Sequence, residues 1–299
     1  MSLEPDPRSR REAWLVSLVL VLFALGTLAF HLWSPWWWAP IASNWQYIDD
    51  TISLTFWITG IVFIAVVLFM AYCVFRFRYR EDRRAEYEPE NPKLEAWLTI
   101  GTAIGITAML VPGLFVWNQF VTVPEEAHEV EIVGRQWSWS YRLPGADGVL
   151  GTTDMRFADF DNPLGLNPND PHGQDDVIVE FGDLLLPVDR PVKLAMRAVD
   201  VLHNYYVPEF RAKMDMVPGM VTYVWLTPTR TGTFEVICAE LCGVGHAMMR
   251  GTVRVVEEDE FAAWLEAQPT FAELAERRRT LADTEPPAAA AADAFRSTR

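Results

Sequence analysis

Apolar residues in the first third of the chain fall in three long runs instead of alternating with polar ones. Residues 14–30 read WLVSLVLVLFALGTLAF, 52–75 read ISLTFWITGIVFIAVVLFMAYCVF, and 96–117 read AWLTIGTAIGITAMLVPGLFVW. The second and third contain no charge and reach the roughly 20 residues a helix needs to cross a bilayer. The pattern predicts a transmembrane hairpin over 52–120, preceded by a further membrane helix within 1–51. Gly101, Gly105, Pro112 and Gly113 would weaken a helix in water, but membrane helices tolerate them and small residues permit close packing. Arg8, Arg10 and Arg11 precede the first run, and Arg76, Arg78, Arg80, Arg83 and Arg84 follow the second. The opposite ends carry Trp33, Trp36, Trp37 and Trp38, suited to a membrane interface, and the acidic Glu125, Glu126 and Glu129. The positive-inside rule then puts the N-terminus and the 76–95 loop in the cytoplasm and the chain beyond about residue 118 outside. The first run also has the build of a signal peptide, with Thr27-x-Ala29 as a cleavage site. Its apolar character runs on into the tryptophans, which favours a retained helix, and the remaining topology is the same either way.

From Val121 the period changes. The segments 130–141, 176–181, 192–199, 221–228, 232–239 and 251–258 are short, rich in β-branched and aromatic residues, and partly alternating, with Pro, Gly, Asp and Asn between them. This predicts an antiparallel β-sandwich or barrel over 121–267, each strand burying one face. Residues 142–175 lack long apolar runs and read as a surface loop or insertion. Phe261, Trp264 and Leu265 share one face of a short closing helix, and the Ala/Pro-rich tail 268–299 reads as a frayed helix followed by disorder.

Charge sharpens this division. The 299 residues carry 25 Lys+Arg against 40 Asp+Glu, a net of −15. Between 121 and 267 there are 11 basic and 24 acidic residues, so a net of −13 sits on the outer domain. This balance excludes a nucleic-acid binder, whose footprint is basic. It serves solubility, and it can equally steer a basic partner. Cysteine is scarce: Cys73, Cys238 and Cys242 cannot build a disulfide scaffold, and no CxxCH run exists for covalent haem.

The chemistry concentrates in CAELCGVGHAMM, residues 238–249, which gathers Cys238, Cys242, His246 and Met249. His203 stands upstream in DVLHNYYVPEF, between two predicted strands. Taken singly, Met249 could be core, His203 a loop histidine, and the two cysteines a disulfide in an oxidising compartment. Together they make a soft donor set of two thiolates, two imidazoles and a thioether, which suits copper. A closed Cys2His2 zinc site would not need the thioether, and a single blue copper would need only one cysteine. Two thiolates can bridge two coppers, each with one histidine, leaving weak positions for the Met249 sulfur and a backbone carbonyl. Such a site leaves no open position for a substrate and fits electron transfer.

The loop, together with VLHNYYVPEF, QWSWSY at 136–141 and the hairpin 52–117, resembles subunit II of haem–copper terminal oxidases, in particular cytochrome c oxidase. The resemblance implies a cupredoxin-like Greek-key β-barrel carrying a binuclear copper A centre. His203 and His246 would be terminal ligands, Cys238 and Cys242 bridges, Met249 one axial ligand and the Glu240 carbonyl the other. The Glu240 side chain would reach a magnesium ion shared with subunit I. Trp137 matches the residue that first receives electrons, and Asp200 matches an acidic donor-docking position. Trp139 reads as core. The implied partners are subunit I, further oxidase subunits, cytochrome c and the lipid bilayer of a bacterial inner membrane. A copper A subunit of a nitric-oxide-reductase-type complex is the alternative. A copper carrier would leave Trp137 unexplained, and a nitrous-oxide reductase would need far more than the five histidines present. The family's glutamate three residues before the tryptophan of the last membrane helix is replaced by Leu94, with Glu95 one position off.

Overall fold

The computed structural model describes residues 7–34, 39–80, 83–84 and 86–284. The tryptophans at 36–38 and the tail beyond 284, expected to be interfacial and disordered, lie outside the described residues. The chain divides into two compact units, one holding residues up to 38 and 47–118, the other holding 39–46 and the chain from 119 onward.

The first unit is built from α1 (Pro7–Trp33), α2 (Gln46–Arg76) and α3 (Pro92–Val121), each long and apolar enough to cross a membrane. Helices suit this environment because every backbone group is satisfied within the segment. In α2 the hydroxyls of Thr51, Thr55 and Thr59 donate to the carbonyls of Tyr47, Thr51 and Thr55 at 2.7–2.9 Å, so they too need no water. Helices α1 and α2 meet as an antiparallel pair in constant register. Trp14 packs edge-on to Phe75 at 5.0 Å, Ser17 Oγ donates to the Ala71 carbonyl at 2.9 Å, and Phe23 meets Phe63 at 6.1 Å. Helix α3 begins with proline at its first position, where the missing N–H costs nothing. There Asn91 Oδ1 accepts from Leu94 N at 3.1 Å, and Glu95 Oε1 accepts from Asn91 N at 3.4 Å. Glu95 is therefore part of a helix cap.

The second unit contains β1 (His128–Arg135), β2 (Ser138–Leu143), β3 (Val177–Glu180), β4 (Leu184–Pro187), β5 (Val192–Ala198), β6 (His203–Val207), β7 (Ala212–Met216), β8 (Thr222–Leu226), β9 (Gly232–Cys238), β10 (Arg250–Val256), α4 (Glu258–Glu266) and α5 (Phe271–Thr284). They form two five-stranded sheets, β3-β2-β1-β5-β8 and β4-β10-β9-β6-β7. This corrects the expected closed Greek-key barrel: the ladders end at the sheet edges, leaving two curled sheets. The sheets are also mixed, because β1 pairs parallel with β5 and β4 parallel with β10. Parallel neighbours need long crossovers, and the chain between β1 and β5 supplies one. The segment 130–141 is not one strand either; it turns at Gln136–Trp137 into the β1–β2 hairpin, with Arg135 opposite Ser138.

Val130, Ile132, Tyr141, Leu194, Met196, Tyr205, Val224 and Val236 are buried in the core of this unit. The first sheet buries its second face too, which period-two reasoning did not anticipate. Val133 and Ile178 pack there with Leu164 and Leu166 of the 142–175 segment and with Phe271 of α5. Thr270 and Glu273 cap α5 reciprocally, hydroxyl to Glu273 N and carboxylate to Thr270 N. On the same face Glu131 accepts from Arg142 Nε and Arg197 Nε at 2.8 Å, and Arg142 Nη1 also reaches Asp176 Oδ2 at 2.6 Å. All four side chains are buried.

Residues 39–46 belong to this unit by contact. Trp45 is 2% exposed, donates Nε1 to the Trp225 carbonyl at 2.8 Å, and lies 4.8 Å from the Trp225 ring and 5.0 Å from Phe120. Ser43 Oγ donates to the Phe210 carbonyl at 2.9 Å.

Candidate metal centre

The β9–β10 hairpin sets the site. Its ladder runs from Gly232–Val255 to Ile237–Arg250, so residues 239–249 project as one loop from the end of the second sheet. Cys238 closes β9 and Met249 stands just before β10, their backbones joined by Cys238 N donating to the Met249 carbonyl at 3.1 Å. His203 is not in a loop, as its sequence context implied; it is the first residue of β6, which pairs with β9 through Tyr205 and Cys238. Strand pairing thus brings a histidine 35 residues upstream against the loop.

The donors converge. Cys238 Sγ and Cys242 Sγ are 3.7 Å apart and unbonded; Cys242 Sγ lies 3.6 Å from His246 Nδ1 and 3.8 Å from Met249 Sδ. One ligand atom each from His203, Cys238 and Cys242 falls within 4.8 Å of the others. The Glu240 carbonyl sits 3.2 Å from Cys238 Sγ. Cys238, Cys242, His203 and Met249 are buried, and His246 is half-buried.

Electrostatics fit a soft cation here. His203 Nε2 meets Asp200 Oδ1 at 2.8 Å, while its buried Nδ1 has no hydrogen-bond partner among the described residues. A carboxylate acceptor favours the ring proton on Nε2 and leaves Nδ1 with a free lone pair, in a ring that has one nitrogen within 4.8 Å of both sulfurs. Burial, and then the adjacent Cys238 thiol, push the Cys242 thiol up to about 11. A thiol so reluctant to ionise becomes a thiolate when a metal takes up its charge. The orphaned imidazole nitrogen and the sulfur cluster together satisfy what a metal would need.

Trp137 is 39% exposed, and its Nε1 donates to the Cys242 carbonyl at 3.2 Å; Gln136 Nε2 donates to the same carbonyl at 2.8 Å. Asp200 is exposed, yet its carboxylate is engaged in hydrogen bonds. Besides holding His203, it accepts from Val201 N and Gln136 N, each at 2.7 Å. Partial burial works against its ionisation, yet these bonds hold its carboxyl below the ordinary aspartate range. Trp139 is buried at 4%, edge-on to Tyr205. Gln136 escaped sequence reasoning; its place directly before Trp137 was the available signal.

Residues 128–256 match the family described as cytochrome c oxidase subunit II, periplasmic domain. The alternative cytochrome c oxidase subunit 2 of Bradyrhizobium diazoefficiens is 65% identical over 262 residues, covering 88% of this chain and 95% of that protein. Cytochrome c oxidase subunit 2 of Cereibacter sphaeroides is 31% identical over 241 residues, covering 76% and 77%. Among solved structures, the periplasmic domain of subunit II of cytochrome oxidase of Bradyrhizobium japonicum is 30% identical and covers 48% of this chain and 95% of that one, with a TM-score of 0.36. With two thiol sulfurs, a thioether and an imidazole gathered in one site, three membrane-length helices in the same chain, and a relative 65% identical over 88% of it, the chain belongs to the cytochrome c oxidase subunit 2 family, as an electron-transfer subunit.

Proposed function

We propose that the outer unit is a cupredoxin-like domain that receives electrons from cytochrome c and delivers them to the haem of subunit I, where oxygen is reduced. The observation that carries this reading is the convergence of Cys238, Cys242, Met249 and the unpartnered Nδ1 of His203. His203, Cys238, Cys242, His246, Met249 and the Glu240 carbonyl would hold two copper ions. When bound, such a centre supplies a one-electron relay whose charge is spread over two soft-ligated metals. Three sulfurs and two imidazoles favour copper over zinc. The Glu240 carboxylate is proposed as a magnesium ligand at the contact with subunit I.

The chain's own residues supply the rest. Burial keeps water from the sulfurs, and Asp200 orients His203. The half-exposed indole of Trp137 offers a π-surface to a donor haem edge. The outer unit's negative excess attracts a basic cytochrome c, with Asp200 near the contact. The three helices span a bacterial inner membrane with 76–95 in the cytoplasm, α1 retained.

The test is metal content and magnetic resonance of the detergent-purified full chain. Two coppers per chain are expected, with one unpaired electron coupled to both nuclei. A single zinc per chain, or a copper-refusing disulfide form, refutes the assignment.

A further inference from the structure

Two glycines flank Val244 in the ligand loop, and they differ in why they are glycine. Gly243 has φ +117°, a conformation that side chains avoid. Gly245 has φ −88° and ψ 6°, which any L-residue can adopt. Its backbone therefore gives no reason for glycine. The space around it does. A Cβ added to Gly245 would lie 2.3 Å from Trp137 Cδ2 and 2.7 Å from Cγ and Cε3, whereas Val244 between the glycines is 97% exposed. The indole rests directly on the Gly245 backbone, and this seat brings Nε1 within 3.2 Å of the Cys242 carbonyl oxygen.

We propose that Gly245 is a positioning residue for electron uptake: its bare Cα lets Trp137 lie on the ligand loop and hydrogen-bond the peptide of Cys242. This rests on the electron-transfer reading above. Carbon contacts settle at about 3.5–4.0 Å, so a methyl at this position would lift the ring by roughly 1 Å or more. A 3.2 Å hydrogen bond stretched by that amount no longer counts as one. The link from indole N–H through the Cys242 carbonyl carbon, Cα and Cβ to Sγ would then be broken, with every metal donor left in place.

The experiment is a double-mutant cycle on the full copper-loaded chain, read as the limiting rate of copper-centre reduction at saturating reduced cytochrome c. Gly245→Ala should lower that rate by about 10- to 100-fold, the scale of an ångström's misplacement, with copper content and spectrum as in the parent. In a Trp137→Ala background the same substitution should add nothing. A parental rate in Gly245→Ala, an equal slowing in both backgrounds, or an unslowed Trp137→Ala each overturns the proposal. If Gly245→Ala fails to load copper, Trp137→Phe replaces it, since it keeps a ring over Gly245 and removes only the Nε1 donor. A limiting rate about tenfold lower with an intact spectrum supports the proposal, and a parental rate overturns it. Failure of the underlying functional reading is separately visible, because the parent chain would then lack the two-copper spectrum.

Discussion

Replacing Asp200 with Asn separates two roles for one carboxylate. As a rim acid it would act through its charge, and its loss would slow donor association and flatten the salt dependence. The structure assigns it more specific work. Oδ1 accepts from His203 Nε2 at 2.8 Å and from Val201 N at 2.7 Å, while Oδ2 accepts from Gln136 N at 2.7 Å. An asparagine retains one acceptor oxygen and turns an NH2 toward donors, so at least one of the three N–H groups loses its partner. A charge-assisted hydrogen bond contributes about 1.5–3 kcal/mol. Removing the group that orients a metal-binding histidine typically costs about 10- to 100-fold in affinity, or about 1.4–2.8 kcal/mol at about 1.4 kcal/mol per decade. The two routes agree. Copper affinity, measured by competition with a chelating indicator, should fall by that factor, and the reduction potential of the centre should shift. Parental affinity and potential, with only the salt dependence of association altered, would refute the orienting role and return Asp200 to the rim.

Cys242→Ser should abolish the shared-electron signature, because it removes one of the two thiolates on which the proposed two-copper centre depends, whereas Met249→Leu should keep two coppers and change the potential; a normal two-copper resonance in Cys242→Ser would refute the assignment. Trp45→Ala removes a side chain that is 2% exposed and packs edge-on to Trp225 and tilted against Phe120. It should destabilise the outer unit by about 3–5 kcal/mol, seen as a lowered denaturant midpoint of copper-centre loss, and an unchanged midpoint would show that residues 39–46 contribute nothing. Glu131→Gln should cost about 3–5 kcal/mol at neutral pH, because Arg197 loses its carboxylate partner and Arg142 keeps only Asp176. Burial opposes its ionisation, but the two guanidiniums hold the Glu131 carboxyl below its ordinary value of 4.5. Its stabilisation is therefore complete above that value and lost as pH falls through the lower folded one. The parent and Glu131→Gln unfolding curves should converge in acid, and a pH-independent difference would sink this assignment.

What the sequence determined is what depends on local pattern and on residue chemistry. Uncharged runs at 52–75 and 96–117 leave no alternative to helices at membrane depth, because only a helix satisfies its own backbone there. That His203, Cys238 and Cys242 would meet in one cluster was legible because two cysteines, a histidine and a methionine within twelve residues have few other uses. Pairing was not legible. Nothing in the alternation of β1 tells that it will lie parallel to β5, and strand contacts between distant segments follow from the packed whole. The second buried face of the first sheet depends on Leu164, Leu166 and Phe271 arriving from elsewhere in the chain. The same holds for details of the site. Asp200 bonding to His203, Trp45 joining the outer unit although it precedes α2 in sequence, and Trp137 lying on Gly245 all arise from segments remote in sequence or from a side chain's direction. Local propensity fixes which residues are available, and only tertiary packing decides which of them touch.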